Sequence, residues 1–172
     1  MRIFFINADL SAAQADMTKA KQLPENVQIC FRGPTANAPF DIGPELAQEM
    51  LAAPLNPNGC TNADVVMPVA NAADLMQRSR GMWTIDFGLM AEDESALYEL
   101  PFEYVKKVVY PIRSKNRRKA YAEKWWQYAE ARPGMRAALK GKSRYVATPV
   151  TAKHRIFVWL TPEVLCNQGS VV

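Results

Sequence analysis

Apolar residues in the first third of the chain come in short runs. Ile3–Ile6 and Val27–Phe31 are each bounded by polar or turn residues, which predicts strands. Gly43-Pro44 opens a helix, with Pro44 at its first position and Leu46, Met50 and Leu51 on one face. Pro54 ends it, and Asn56-Pro57-Asn58-Gly59 marks a turn. Asp64–Met67 and Trp83–Phe87 read as buried strands. Between them Asn71 caps a short helix that contains Asp74 and Leu75.

In the middle of the chain the apolar spacing turns helical. Asp93 is placed to cap a helix running to Leu100, with Glu92 and Glu94 at its positive end. Pro101 starts another, with Phe102, Val105 and Val109 at helical spacing. Ser114 is the expected cap of a longer helix ending near Glu130. On it Tyr121, Trp125 and Tyr128 form one stripe and Ala122, Trp126 and Ala129 the next. Pro133 opens a helix through Leu139, stopped by Gly141. Arg144–Val150 and His154–Leu160 then form a hairpin, turning through Thr151, Ala152 and Lys153. Alternation puts Lys153, Arg155, Phe157 and Trp159 on one face of the second strand, and His154, Ile156, Val158 and Leu160 on the other. The class is α+β: mixed short strands, a helical basic middle segment and a C-terminal β-hairpin, in one domain over residues 1–172.

Charge adds the main functional clue. Residues 106–155 hold 15 of the 21 Lys and Arg residues and only two acids, Glu123 and Glu130. Residues 1–105 hold six bases against 14 acids. A single-sign field of that density attracts polyanions, nucleic acid above all; the plainer alternative is a solvated helical face. The hydrophobic share of 49% is that of an ordinary globular chain. No apolar run approaches the roughly 20 residues of a membrane span, so no membrane partner is expected. Asn7 and Asp9 interrupt the short apolar start, unlike a signal peptide. Three widely spaced cysteines, Cys30, Cys60 and Cys166, argue against a disulfide framework and suit a reducing cytoplasm.

Enzyme chemistry finds little support. There is no Gly-rich phosphate loop, and a His-activated nucleophile would need His154, the one histidine, which sits between Lys153 and Arg155. Glu92, Asp93 and Glu94 read as helix-start charges rather than a metal cluster. No catalytic, cofactor-binding or metal-ligating residue is assigned. Trp125 reads as core, whereas Trp126, one position round the helix, reads as half exposed and able to stack on a base. Arg117 and Arg118 are plausible phosphate clamps. Lys153, His154 and Arg155 lie beside a turn that fits a DNA major groove, where Arg reads guanine with two hydrogen bonds; the same residues would also guard a sheet edge.

Several short motifs occur in one order. They are Asn7-Ala8-Asp9-Leu10, Leu23-Pro24-Glu25-Asn26, Asn56-Pro57-Asn58-Gly59, Asn62-Ala63-Asp64-Val65-Val66 and Trp83-Thr84-Ile85-Asp86-Phe87-Gly88. Pro101–Val105, Asn116-Arg117-Arg118, Trp125-Trp126, Arg132–Arg136, Arg144–Pro149 and Lys153–Trp159 continue the series. In order and spacing, over nearly the whole chain, this resembles the target recognition region of MmeI-like DNA methyltransferases. The resemblance implies a double-stranded DNA partner and a parent enzyme of a restriction-modification or related system. That enzyme would methylate the exocyclic amine of adenine from S-adenosylmethionine. In the family a catalytic domain precedes this region and carries a Gly-rich cofactor motif and an Asn-Pro-Pro-aromatic motif. Neither occurs here, since Asn58 and Gly59 replace the second proline and the aromatic. The chain is therefore expected to need no cofactor itself and to partner a methyltransferase catalytic domain in cis or in trans, with residues 1–10 as a linker. The expected DNA-contacting residues are Arg113, Lys115, Arg117, Arg118, Lys119, Trp126, Thr148, Lys153, His154 and Arg155. Two other readings remain: a protein-interaction module that docks through the acidic first half, and a freestanding RNA-binding protein using Trp126.

Overall fold

The computed structural model describes residues 21, 23–26 and 28–172. The fold is α+β, with two small sheets and seven short helices among the described residues. The expected strand over Ile3–Ile6 and the linker over residues 1–10 lie outside the described residues.

Local signals set the first elements. Strand β1 (Asp41–Ile42) leads into α1 (Pro44–Leu51), whose proline occupies the first turn, where no N–H partner is lost. Ala47 and Met50 are its buried positions, with Leu46 and Leu51 half-buried beside them. Strand β2 (Val66–Ala70) and strand β3 (Trp83–Ile85) are antiparallel neighbours, pairing Val66 with Ile85 and Pro68 with Trp83.

Between them, α2 (Ala72–Met76) begins with a reciprocal cap. The Asp74 N–H donates to Asn71 Oδ1 at 3.0 Å and the Asn71 N–H to Asp74 Oδ2 at 2.9 Å. Arg80 closes on the same carboxylate through its backbone and guanidinium N–H groups. The Arg80 hydrogen bond, chiefly, draws the Asp74 carboxyl down to about 2. A depressed folded-state value means stability that is present above the ordinary carboxylate range and lost as pH falls towards 2. Replacing Asn71 with Ala should cost about 1 kcal/mol in urea unfolding. Asp74→Asn should remove a similar amount at neutral pH and flatten stability between about pH 4 and 2, screening at the half-exposed Arg80 keeping the figure small. An unchanged acid limb in Asp74→Asn would reject this role.

The helical middle departs from the sequence pattern in two places. The helix expected from Asp93 to Leu100 is split into α3 (Glu92–Ala96) and the start of α4 (Glu99–Val108). The cap residue is Ala91, whose N–H donates to Glu94 Oε2 at 3.3 Å. Pro101 falls inside α4 and is buried with Phe102 and Val105. The chain continues through α5 (Tyr110–Arg113), whose last turn Ser114 terminates.

The long helix expected from Ser114 to Glu130 does not form. Only α6 (Lys119–Glu123) is helical there. On a continuous helix Trp125 and Trp126 would point about 100° apart; the chain does not keep them on one. The chain leaves the helix at Lys124 and buries both rings, with Tyr128 beside them. Trp125 packs against Phe102 and Tyr110 at centroid distances of 5.3 and 5.1 Å. Helix α7 (Pro133–Leu139) then starts and stops where proline and Gly141 (φ 75°) predict.

The C-terminal hairpin is present, with a longer connection than expected. Strand β4 (Tyr145–Pro149) pairs with β5 (Val158–Leu160), aligning Tyr145 with Leu160 and Ala147 with Val158. The ladder ends there, so Ile156 and Phe157 are outside the strand and His154 and Arg155 belong to the loop. The Val150 N–H bonds Gly169 on the opposite side, so the Pro149 nitrogen faces the β5 side, where it has no hydrogen to give. Strand β6 (Leu165–Cys166) runs parallel to β2, and β7 (Ser170–Val171) joins the free side of β4. The sheet orders are thus β1-β3-β2-β6 and β5-β4-β7.

The expected Val27–Phe31 strand is also absent over its described residues. Gln28 is left-handed (φ 67°), and Ile29 and Cys30 are exposed. From Phe31 onward the chain lies against the C-terminus: the Phe31 N–H donates to the Val172 carbonyl and the Val172 N–H to that of Phe31, each at 2.8 Å.

Candidate nucleic-acid interface

The basic residues divide by environment. Lys115, Arg117, Arg118, Lys119 and Lys124 are exposed on α6 and the turn before it. Asn116 shapes that turn by accepting the Arg118 N–H at 2.9 Å. Arg118 Nη1 donates to the Tyr121 hydroxyl at 2.9 Å and its guanidinium lies 5.3 Å from the Tyr121 ring centroid. Lys119 reaches Glu123 at 3.4 Å, an exposed pair of little energetic weight. A cavity of about 340 Å³ opens beside this turn, lined by Asn37, Asn116, Arg118, Tyr121 and Glu130 among others.

Three other bases are committed to the fold. Arg136 donates to Asp86 Oδ2 at 2.7 Å and through Nε to the Ala131 carbonyl at 2.6 Å. Arg132, left-handed at φ 54°, pairs with Glu130 at 2.5 Å. Arg113 is only 1% exposed, although its charge groups it with the phosphate-contacting candidates. Its Nη2 donates to the Gln127 carbonyl at 2.7 Å and its guanidinium stacks 5.1 Å from the Tyr121 centroid. Nε and Nη1 have no hydrogen-bond partner among the described residues, and burial lowers its pKa. In this position Arg113 reaches no external phosphate.

Two more candidates are displaced from the surface. Trp126 is 8% exposed and donates from Nε1 to the Met90 carbonyl at 3.0 Å, so it offers no free face to a base. Thr148 lies in β4, within the expected strand, but is buried opposite Val171. Lys153, His154 and Arg155 are all exposed, in the open connection between β4 and β5.

The sequence pattern did not single out a second exposed group beside that loop. Phe157 and Trp159 are 68% and 60% exposed, and the Arg144 guanidinium lies 4.3 Å over the Trp159 ring. Alternation predicted the shared face of Phe157 and Trp159, and half-buried Ile156, Val158 and Leu160 confirm it. The Arg144–Trp159 stack depends on cross-strand register, which one strand's pattern does not contain. Arg144 and Val146 also line a groove of about 960 Å³, with Ile29, Phe31, Ala138 and Lys142.

No family model matches the sequence, and neither does any curated protein. Among solved structures, the type IIL restriction-modification enzyme MmeI in complex with DNA matches 81% of this chain, with a TM-score of 0.57 and 13% identity. The chain shares a fold with part of MmeI. The matched part is 18% of the MmeI chain, so this chain spans less than a fifth of MmeI's length. At that identity the likeness to MmeI is one of fold.

The Asn56-Pro57-Asn58-Gly59 turn is structural. Asn56 Nδ2 donates to the Cys60 carbonyl and to Asn62 Oδ1, and Asn56 Oδ1 accepts from the Glu99 N–H. Both amide hydrogens and the amide oxygen are thus engaged within the fold. Among the described residues no group of three or more His, Cys, Asp or Glu is placed to hold a metal ion, and no helix is long and apolar enough to cross a membrane.

Proposed function

We propose that this chain is the double-stranded DNA recognition module of a restriction-modification adenine methyltransferase. The observation that carries this reading is the fold shared with part of MmeI over 81% of the chain. The ordered series of short motifs points the same way. Lys115, Arg117, Arg118 and Lys119 supply exposed positive charge from one turn and helix, suited to phosphates, which fix register without reading sequence. Lys153, His154 and Arg155 project from a loop anchored at both ends by strands, suited to base edges in the major groove. The methyl donor, S-adenosylmethionine, belongs to a separate catalytic domain, and no residue of this chain is assigned to hold it. Exposed Leu55, Leu97 and Leu100 in the acidic half offer apolar surface for that domain.

The test is duplex binding by fluorescence anisotropy across a salt series. With about six phosphates neutralised, log K should fall against log salt with a slope near −5. Arg117→Ala with Arg118→Ala should weaken binding to every sequence alike and reduce that slope by about two. Arg155→Ala, in an enzyme that includes the catalytic domain, should relax preference at one base pair and cost about 1–3 kcal/mol on the cognate site. A slope near zero would instead support the protein-interaction module. An unchanged site list with uniformly lower occupancy in Arg155→Ala would make Arg155 a phosphate contact.

A further inference from the structure

We propose that Phe157, which shares a face of the hairpin with Trp159, is a wedge that enters the base stack of the bound duplex beside the basic loop and kinks it. This rests on the DNA-binding reading above and adds a way of deforming the DNA to it.

Exposure singles these rings out. Trp125 and Trp126 are buried at 6% and 8%, whereas Phe157 and Trp159 are mostly in solvent. Exposing two large aromatics on one face forfeits apolar burial, and such a patch marks a surface that is covered in use. The two rings are not equivalent. Arg144 covers one face of Trp159, so that ring is held in place and half occupied. Phe157 is 68% exposed and takes part in no ring–ring or cation–ring contact among the described residues, so no aromatic or cationic neighbour occupies its ring. A ring must be free on both faces to slide between base pairs.

The mounting is also suitable. Phe157 is the first residue beyond the β4–β5 ladder, directly before Val158, which pairs with Ala147. Its backbone is therefore fixed on one side, while Lys153, His154 and Arg155 lead away from it on the other. A rigid base is what a wedge requires if stacking is to be broken rather than the loop displaced.

Charge selects the occupant. From Ala131 to Pro162 the sequence contains no acid and, besides Arg132 and Arg136, which are paired within the fold, five Lys and Arg residues: Lys140, Lys142, Arg144, Lys153 and Arg155. A polyanion with flat apolar rings stacked inside it complements both the charge and the exposed aromatics. Proteins that deform DNA insert Phe, Leu, Ile or Met in this way, and the bend brings more backbone against the protein.

The experiment uses the full chain and a duplex that the chain itself enriches from a random-sequence pool. 2-Aminopurine is placed at each position of the footprint in turn, and end-to-end distance is followed by energy transfer. Binding should raise 2-aminopurine emission at one base step and shorten the end-to-end distance. Phe157→Ala should abolish both signals and weaken binding about tenfold, with the salt slope unchanged because no phosphate contact is lost. Phe157→Leu should retain most of the kink. Salt-dependent binding with 2-aminopurine quenched throughout would overturn the wedge alone. So would a Phe157→Ala variant that kinks the duplex normally, or one whose sole defect is failure to associate with a methyltransferase domain. Absence of any duplex binding by the unaltered chain would remove the DNA-binding reading, and the wedge with it.

Discussion

Gly33→Ala should lower stability by about 3 kcal/mol or more, equivalent to roughly 10 °C in melting temperature for a domain of this size. A Cβ at Gly33 would lie 2.2 Å from the Asn167 carbonyl oxygen and 2.4 Å from that of Cys166. Both are backbone atoms, so no rotamer change relieves the overlap. The neighbouring backbone is tied as well. The Gly33 N–H donates to the Ser170 carbonyl at 3.0 Å, and Arg32 Nε reaches the Gln168 carbonyl at 2.8 Å. Moving residues 32–34 away breaks these bonds; moving residues 166–170 disturbs β6 and β7, which belong to different sheets. Urea unfolding of the variant is the measurement. A loss below about 1 kcal/mol would show that the two segments separate easily.

Arg136→Ala should cost about 3–5 kcal/mol, the range for removing one partner of a buried ion pair. The Asp86 side chain is fully buried, and its two oxygens accept from Arg136 at 2.7 Å and from the Gly88 N–H at 2.9 Å. Without the guanidinium a buried carboxylate keeps one neutral donor. The asymmetry of the effect is diagnostic. Asp86→Asn combined with Arg136→Met removes both charges and should recover a large part of the loss, because the desolvation cost of the carboxylate disappears. If the double variant is as unstable as Arg136→Ala, the loss comes from packing of α7 rather than from the stranded charge.

What the sequence showed depended on how local the deciding interaction was. Pro44, the Asn71–Asp74 cap, and Pro133 with Gly141 act within one helical turn, and each helix lies where those residues indicate. The expected strand Trp83–Phe87 contains β3 (Trp83–Ile85), whereas the expected Asp64–Met67 overlaps β2 (Val66–Ala70) only at Val66 and Met67, because Asn62–Asp64 form a short 3-10 turn. The segment after Ser114 was not legible, because its periodicity is genuine but loses to tertiary burial. Tyr121, Trp125 and Tyr128 have helical spacing, yet the chain leaves the helix at Lys124 and both Trp125 and Trp126 are buried. The same event hid part of the candidate site. Arg113 and Trp126 looked available by residue type, and their burial is fixed by residues distant in sequence, such as Met90 for Trp126. Asn116 carried a readable signal two residues before Arg118, masked by the expectation that Ser114 was the cap. In the hairpin, the expected strand Arg144–Val150 ran through Pro149, whereas the β4–β5 ladder stops at Ala147 and Val158.

That interruption has an evolutionary consequence. Residues 151–155 contribute no ladder pair and no buried side chain. Substitutions there change what the loop presents while leaving the folding free energy nearly untouched, since surface changes of this kind stay within about 0.5 kcal/mol. Selection can therefore act on the loop's preferences one residue at a time, with every intermediate folded. The early end of the β4–β5 ladder makes the tip of the hairpin a neutral territory for drift, insulated from the scaffold that carries it.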